Sequence, residues 1–290
     1  MSKVILVFVL LSVIGGTNAP LVKNGLKDFS PNTLVFLRFA LASLILLPFV
    51  LKEKVNFRKS SFKYLILGSS FMGINVILYA IGLQYTSIMM SQLIYVPKGL
   101  FVAVLGYILL KEVLSKNQKI GLVLTMAGMS ILVYGSIQTQ DVLSFGKPFG
   151  NLLILIGFFC SATYYVLSRK VSKDYSPLFI TFLSFVFATI ISTPFATYEY
   201  LSSGSVGNID SASILNLLAL VIFSSIAVYY LAQWIIKHSS AYTAALALYM
   251  NFLVASVLGI VYFGEKLTLS FIIAASLIIF GVYISTKEKK

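Results

Sequence analysis

"DFSPNTLVFLRFALASLILLPF", residues 28–49, returns in altered form as "DYSPLFITFLSFVFATIISTPF", residues 174–195. Ten of the 22 aligned positions are identical, and the two prolines of each stretch coincide. Each stretch contains enough apolar residues, about 20, for an α-helix to cross the hydrocarbon core of a bilayer. The recurrence therefore predicts that a membrane-spanning unit occurs twice in this chain.

A second correspondence extends the repeat. A shift of 153 residues places "VLGYILLKEVLS", residues 104–115, on "VLGIVYFGEKLT", residues 257–268. Internal similarity of this kind is typical of membrane proteins that are built from two related bundles of helices. The chain is therefore predicted to consist of two units, residues 1–140 and 148–290.

The composition agrees with an integral membrane protein. Of the 290 residues, 59% are hydrophobic and 11% are charged, whereas soluble domains have about 45–50% and about 25%. The mean hydropathy is +0.95. The net charge of +13 does not indicate nucleic acid as a partner, because the basic residues lie in short loops between apolar runs. The single cysteine, Cys160, excludes an intrachain disulfide and is interpreted as a packing residue.

Ten apolar runs are predicted to be membrane-spanning helices. They cover residues 4–22, 32–51, 64–84, 88–110, 118–137, 149–168, 178–198, 213–236, 240–263 and 268–286. Each unit contains five of them, and because five is odd, the second unit enters the membrane from the opposite side. The predicted fold is an all-α membrane protein with ten transmembrane helices in two inverted five-helix repeats.

The distribution of basic residues predicts the orientation. With the N-terminus inside, 16 of the 22 lysines and arginines face the cytoplasm and 4 face the other side. Both termini are therefore predicted to be cytoplasmic, in a plasma or inner membrane. An alternative takes Lys3, the apolar run to Ile14 and "GGTNA" as a signal peptide. Its removal would leave nine spans, whereas the repeat requires the first one.

Several short motifs carry a family resemblance. They are "GGTNAPLVK" (15–23), "SP" (30–31), "LRFALASLILLP" (37–48), "LLKE" (109–112), "SATYYVLSRK" (161–170) and "YFGE" (262–265). Together with the duplication and the helix count, they resemble the EamA type of the drug/metabolite transporter superfamily. The resemblance implies two inverted five-helix bundles and a central cavity lined by the first, third, fourth, sixth, eighth and ninth helices. It also implies transport of amino acids, nucleotide-linked metabolites, sugar phosphates or organic cations.

The fourth predicted span carries a lysine near its centre. Lys98 lies about 13 residues, or roughly 20 Å, from the cytoplasmic end of this helix. A charge at this depth costs at least about 2.5–3.5 kcal/mol and usually faces a watery cavity or an ionic partner. All nine acidic residues lie in loops or at helix ends, so a carboxylate or phosphate of the substrate is the predicted partner. The alternatives are a lysine packed against carbonyl groups freed by Pro97, or a neutral lysine.

Polar side chains accompany Lys98 in the predicted spans. Ser91 and Tyr95 share its helix face, and Gln92 flanks that face. The 153-residue shift places Asn251 opposite Lys98. The other candidate substrate-binding residues are Asn18, Asn75, Tyr79, Tyr164, Tyr229, Gln233 and Tyr249. Aromatic walls with a few polar groups are typical of a small-molecule pocket, although each side chain is equally compatible with an interhelical hydrogen bond.

Four further residues are assigned structural or gating roles. Arg38 matches the Arg-Phe pair of the family, and Ser184 occupies its place in the second half. A bond from Arg38 to carbonyl groups of neighbouring helices is favoured over substrate contact. Glu112 and Glu265 end the fourth and ninth helices at matched positions. Pro97 interrupts the helical hydrogen bonds beside Lys98.

These features predict a secondary transporter that moves a small carboxylate-bearing metabolite, such as an amino acid, by alternating access. The first alternative is a carrier of phosphorylated or nucleotide-linked metabolites, in which Lys98 and Arg38 hold phosphate together. A non-transporting sensor and a membrane-embedded transferase are remoter alternatives. The spans offer neither carboxylate nor histidine for acid–base chemistry. The sequence lacks a P-loop motif, so ATP is not predicted to be the direct energy source.

Few other partners are predicted. No catalytic residue, metal ligand or cofactor follows from the motifs. The expected partners are the small-molecule substrate and the lipid bilayer, without nucleic acid. Glycine stripes along the helices are compatible with a homodimer and equally with close packing inside one chain.

Overall fold

The computed structural model is helical throughout its regular secondary structure. It describes residues 2–53, 59–110, 115–139, 145–203, 209–239 and 241–286. The helices are α1 (Ser2–Gly16), α2 (Asn18–Gly25), α3 (Pro31–Val50), α4 (Lys59–Gln84), α5 (Ile88–Tyr95), α6 (Lys98–Leu110), α7 (Lys116–Thr139), α8 (Pro148–Val171), α9 (Pro177–Ser203), α10 (Ser211–Ala219), α11 (Val228–His238), α12 (Ala241–Phe263) and α13 (Leu269–Thr286). A π-helical segment, Leu220–Ala227, joins α10 to α11. The predicted all-α class is confirmed for the described ranges.

Seven segments of the described chain are long and apolar enough to cross a membrane. They are Leu6–Gly25, Pro31–Val50, Ser60–Gln84, Ile88–Ile108, Pro148–Val171, Pro177–Ser202 and Ser211–His238. Shorter apolar stretches occupy Lys119–Ile131, Asn251–Phe263 and Leu269–Gly281. All of these segments fall on predicted apolar runs. The protein is therefore an integral, multi-pass membrane protein, as predicted, while the count of ten spans stays a prediction.

The helices pack in pairs that correspond between the two halves of the chain. α3 packs on α9, α7 on α13, and both α5 and α6 on α12. α4 packs on α8, and α1 packs on α11. Between α3 and α9, the buried rings of Phe39 and Phe185 lie 5.1 Å apart, centroid to centroid. These contacts place α1, α4, α6, α8, α11 and α12 around a common centre.

The two ends of the helix bundle are closed by different contacts. At the end where α2 finishes, which we call the far end, the backbone N–H of Lys147 donates to the carbonyl oxygen of Tyr85 at 2.7 Å. At the opposite or near end, where α1 begins, Arg169 donates to the carbonyl oxygen of Ile236 at 2.7 Å. The first contact joins the first half of the chain to the residue that precedes α8, whereas the second joins two helices of the second half.

Two glycines allow α7 and α13 to approach closely. A Cβ atom on Gly128 would lie 2.6 Å from Cγ1 of Ile278. A Cβ atom on Gly281 would lie 2.8 Å from the carbonyl oxygen of Gly121. The 153-residue shift aligns Gly128 with Gly281, so the repeat conserves a small residue on both sides of this one interface.

We expect Gly128→Ala to lower the free energy of unfolding by about 1–2 kcal/mol, because the added methyl group overpacks the α7–α13 interface. Thermal unfolding of the purified protein in detergent measures the effect. Met126→Ala is the control, since Met126 lies on the exposed face of α7, and its effect should stay within about 0.5 kcal/mol. Equal melting temperatures for the Gly128→Ala and wild-type proteins would contradict the close packing of these helices.

Candidate substrate site

A central cavity of about 100 Å³ lies between the two halves of the bundle. It is lined by most of the polar residues that the sequence singled out. They are Asn18, Arg38, Asn75, Tyr79, Gln92, Tyr95, Lys98, Tyr229 and Asn251. The volume is smaller than the about 300–1,000 Å³ of a typical ligand pocket. In this conformation the cavity therefore holds only a small ligand or a few water molecules.

Two interrupted helices bring polar groups to the cavity. The fourth predicted span divides into α5 and α6, because Val96 and Pro97 form a turn between them and Pro97 has no N–H to donate. Lys98 is consequently the first residue of α6. The first span divides at Thr17, so that Asn18 is the first residue of α2. Broken helices at membrane depth are tolerated where they line a cavity, which is their position here.

A third irregularity, the π-helical segment Leu220–Ala227, holds Arg38. The guanidinium Nε donates to Oγ of Ser225 at 2.6 Å. Nη2 donates to the carbonyl oxygen of Ser224 at 2.7 Å and to Oδ1 of Asn18 at 2.9 Å. All three acceptors are neutral, so the charge of Arg38 is hydrogen-bonded but not neutralised. π-helical turns inside α-helices frequently mark functional sites.

Lys98 is buried beside aromatic rings. Its side chain is 3% exposed, and Nζ lies 3.8 Å from the ring centroid of Tyr165 and 5.6 Å from that of Tyr95. Among the described residues, Lys98 forms neither an ion pair nor a side-chain hydrogen bond. Cation–π contacts compensate only part of the cost of such burial, about 0.5–2 kcal/mol. The ammonium group is thus available to an anion that enters the cavity.

The α4–α5 wall of the cavity is a hydrogen-bonded network. Oη of Tyr95 donates to Oδ1 of Asn75 at 2.5 Å. Nε2 of Gln92 donates to Oη of Tyr79 at 2.9 Å. Ser91 lies behind this wall and not on the cavity surface, with its Oγ 3.4 Å from Oη of Tyr79. The bond to Asn75 holds the side chain of Tyr95, whose ring lies beside Lys98.

Asn251 joins α12 to α1 at the cavity. With its amide nitrogen directed to two carbonyl oxygens, it donates to Ser12 at 2.7 Å and to Ala247 at 3.0 Å. A Cβ atom on Gly15 would lie within 3 Å of the Asn251 amide, so only glycine leaves room for this contact. The structure places Asn251 and Lys98 on the same cavity, as the repeat predicts.

Two predicted site residues form a separate cluster towards the near end. Nε2 of Gln233 donates to Oη of Tyr164 at 2.7 Å and to Oγ of Ser168 at 3.1 Å. Oγ of Ser184 also donates to Oη of Tyr164, at 3.1 Å. Neither Tyr164 nor Gln233 lines the cavity. Glu112 and the side chain of Tyr249 lie outside the described residues.

Three polar residues of the cavity were absent from the sequence prediction: Ser161, Tyr165 and Ser224. Tyr165 follows the predicted Tyr164 directly and shares a helix face with Ser161, four residues earlier. A signal for both therefore existed in "SATYYVLSRK". Ser224 belongs to a pair of serines in an apolar run, but the sequence does not show that this run forms a π-helix.

A buried carboxylate closes the far end of the bundle. Glu265 accepts from the backbone N–H groups of Ile88 and Met89, at 2.5 and 2.9 Å, which are the first two residues of α5. Nζ of Lys23 lies 3.3 Å from Oε1 of Glu265 and donates to the carbonyl oxygen of Thr86 at 2.9 Å. These contacts join the end of α2, the start of α5 and the loop after α12.

The cavity carries positive charge without an acidic counterpart. Lys98 and Arg38 both line it, whereas none of the described carboxylates does. In the part of the chain that the structure describes, no group of histidine, cysteine and acidic side chains could hold a metal ion. The arrangement is suited to binding an anion through charge and hydrogen bonds.

A bundle of membrane helices with broken helices around a central polar cavity is the architecture of a membrane transporter. The sequence matches the EamA-like transporter family over residues 2–134 and 148–287. The chain belongs to this family, and the resemblance that the motifs carry is confirmed.

Similar proteins agree with this assignment. An uncharacterized transporter of Archaeoglobus fulgidus is 27% identical over 291 residues, which cover 99% of each chain. The uncharacterized transporter YyaM of Bacillus subtilis is 30% identical over 184 residues, which cover 62% of this chain and 60% of YyaM. A protein of known crystal structure, 18% identical, superposes with a TM-score of 0.68 over 99% of this chain and 97% of that chain. The last similarity concerns the fold alone.

Proposed function

We propose that this transporter moves a small carboxylate-bearing metabolite across the membrane by alternating access, with Lys98 as the contact for the carboxylate. Amino acids are the substrate class that the sequence favours. The observation that carries the proposal is the position of Lys98, buried on the cavity without an acidic partner among the described residues. A substrate carboxylate would supply the missing negative charge.

The fold supports an inverted arrangement of two five-helix units. The family matches two separate stretches, residues 2–134 and 148–287. The packing pairs α3 with α9 and α7 with α13, which are counterparts in the predicted repeat. In the proposed topology the three shorter apolar stretches also cross the membrane, both termini are cytoplasmic, and the far end faces outward. Rocking of one unit against the other then exposes the cavity to each side in turn.

Glu265 and Lys23 form the proposed outer gate. Their ion pair and the bonds of Glu265 to the first N–H groups of α5 hold the far end closed. α5 also carries Tyr95, whose ring lies beside Lys98. A movement of α5 away from Glu265 would therefore open the far end and change the surroundings of Lys98 together.

A carrier of phosphorylated metabolites is the second candidate. It is favoured by one observation, the presence of Arg38 on the same cavity as Lys98. Nη1 of Arg38 forms no hydrogen bond within the described residues, so two guanidinium donors remain for a ligand. Two cations with free donors are a minimal phosphate site.

A ligand panel distinguishes these functions. We expect amino acids, organic acids or phosphate esters to raise the melting temperature of the wild-type protein, and Lys98→Met to abolish this effect. A ligand at about 100 times its Kd stabilises the folded state by about 2.7 kcal/mol, which thermal unfolding detects readily. The compounds that stabilise the protein identify the class, and their uptake into proteoliposomes distinguishes a transporter from a sensor.

Lys119→Met is the matched control for the panel, because Lys119 lies exposed on α7 and away from the cavity. It removes the same charge and should leave every ligand effect intact. Stabilisation by organic cations that is equal in the wild-type and Lys98→Met proteins would refute the assignment of Lys98 as an anion contact.

A further inference from the structure

Three of the hydrogen-bond acceptors that line the cavity already receive a bond from the protein itself. Oδ1 of Asn18 accepts from Arg38, and Oδ1 of Asn75 accepts from Tyr95. Oη of Tyr79 accepts from Gln92. The ammonium group of an amino acid requires acceptors or a carboxylate, and none of the described carboxylates lines the cavity.

The charges of the cavity also oppose an ammonium group. Lys98 and Arg38 are both buried there, and the hydrogen-bonding partners of Arg38 are neutral. Placing a third cation near two uncompensated ones in a buried site is unfavourable, because the surroundings screen charge poorly. A carboxylate gains from both cations, whereas a zwitterion gains at its carboxylate and loses at its ammonium group.

A hydrogen-bonding group without a partner among the described residues remains on Ser224, a residue that contacts Arg38. Oγ of Ser224 is fully buried, and no described residue forms a hydrogen bond with it. Ser224 lines the cavity, and its own carbonyl oxygen accepts from Arg38. A buried hydroxyl without a partner costs free energy, so a ligand that bonds to it is favoured. A hydroxyl or keto oxygen adjacent to a substrate carboxylate is suited to this bond.

We infer that the cavity selects an organic anion without an ammonium group, of the 2-hydroxy or 2-keto acid type, over the amino acid of the same carbon skeleton. Lys98 and the free Nη1 of Arg38 bind the carboxylate, and Oγ of Ser224 bonds the neighbouring oxygen. The inference rests on the proposed function, since it refines the substrate class of the same site.

Matched pairs of ligands test this selection. The pairs are L-lactate with L-alanine, L-malate with L-aspartate, and glycerol 3-phosphate with serinol phosphate. Ligand-induced shifts of the melting temperature are titrated to obtain the Kd of each compound. We expect the member without the ammonium group to bind at least about tenfold more tightly in every pair that binds, because like charges repel in a poorly screened site.

The possible outcomes distinguish a failure of this inference from a failure of the proposed function. An amino acid that binds as tightly as its hydroxy acid, with binding lost in Lys98→Met, would overturn the inference and leave the proposed function standing. Preference for glycerol 3-phosphate, with both acid pairs silent, would overturn the hydroxy-acid type. If no compound of any pair binds in a Lys98-dependent manner, both proposals fail.

A variant of Ser224 tests its role directly. Ser224→Ala should reduce the affinity for L-lactate to that for propionate, which lacks the hydroxyl, and leave propionate binding unchanged. Ser43→Ala is the control, because Oγ of Ser43 bonds to the carbonyl oxygen of Phe39 within α3 and lies off the cavity. Equal losses for lactate and propionate in Ser224→Ala would show a purely structural effect and contradict the assigned contact.

Discussion

Lys98→Met is expected to abolish transport while making the ligand-free protein more stable. Removal of the cation should weaken substrate binding by about 100-fold or more, as for other buried charge contacts. At the same time it removes a buried charge that costs about 2.5–3.5 kcal/mol at membrane depth. The lost cation–π contacts with Tyr165 and Tyr95 offset about 0.5–2 kcal/mol of this gain. The expected net stabilisation is about 1–2 kcal/mol.

Thermal unfolding without ligand measures the expected stabilisation, and uptake into proteoliposomes measures the expected loss of transport. Lys98→Arg serves as the companion variant, since it retains the charge and should recover part of the uptake without the gain in stability. A ligand-free Lys98→Met protein that unfolds at a lower temperature than the wild type would show that Lys98 stabilises the fold. The interpretation of Lys98 as a group held for a substrate would then be wrong.

The all-α class and the positions of the apolar helices could be predicted because they depend on features that are local in sequence. Apolar runs of the required length predict the spans, and the recurrence of "SP" and of endings similar to "LLPF" predicts a duplication. Lys98 could be predicted as a functional residue for the same reason, because a lysine within an apolar span always costs free energy of insertion. These signals require no knowledge of how the helices face one another.

The composition of the cavity wall could be predicted only in part, because it depends on the rotation of each helix. Tyr164 and Tyr165 are adjacent and equally polar, and successive residues of a helix point about 100° apart. The sequence does not reveal which of them faces Lys98, and the structure places Tyr165 there. Tyr164 instead accepts a hydrogen bond from Gln233, so two predicted site residues bond to each other away from the cavity.

The contacts of Arg38 show a second reason why the cavity wall could be predicted only in part. Its partners are Asn18, at a helix break, and two serines of the π-helical segment. A π-turn displaces the residues that follow it from the regular helical register, so the 3.6-residue period no longer predicts the exposed face. Long-range contacts of this kind follow from the packing of irregular helices, for which the sequence carries no simple pattern.

Glu265→Ala is expected to open the far end of the bundle and to cost about 3 kcal/mol of unfolding free energy. The variant leaves two N–H groups of α5 without an acceptor and removes the ionic partner of Lys23. Loss of one member of a buried ion pair typically costs about 3–5 kcal/mol, and partial exposure of Lys23 reduces the value here. Thermal unfolding gives the loss of stability, and cysteine labelling reports the opening.

The labelling experiment is simple to arrange, because only one native cysteine, Cys160, has to be replaced. The protein carries Cys160→Ser together with Val22→Cys. Val22 directly precedes Lys23 in α2, and its side chain is buried and lines the cavity. A membrane-impermeant maleimide added from outside should react with Val22→Cys at least about tenfold faster when Glu265→Ala is also present. The reason is that less free energy is then needed for local opening of the far end.

Glu199→Ala separates gating from simple helix capping. Glu199 accepts from the backbone N–H groups of Asn32 and Thr33, at 3.1 and 3.0 Å, and thus binds the start of α3 as Glu265 binds the start of α5. Its loss should also lower stability, yet leave the labelling of Val22→Cys unchanged, since α3 is held at a different place from the proposed gate. Equal acceleration in both variants would mean that labelling reports general loosening of the bundle. Acceleration in Glu265→Ala alone requires that this carboxylate controls access to the cavity, and it would connect the closure of the far end to the helix that carries Tyr95.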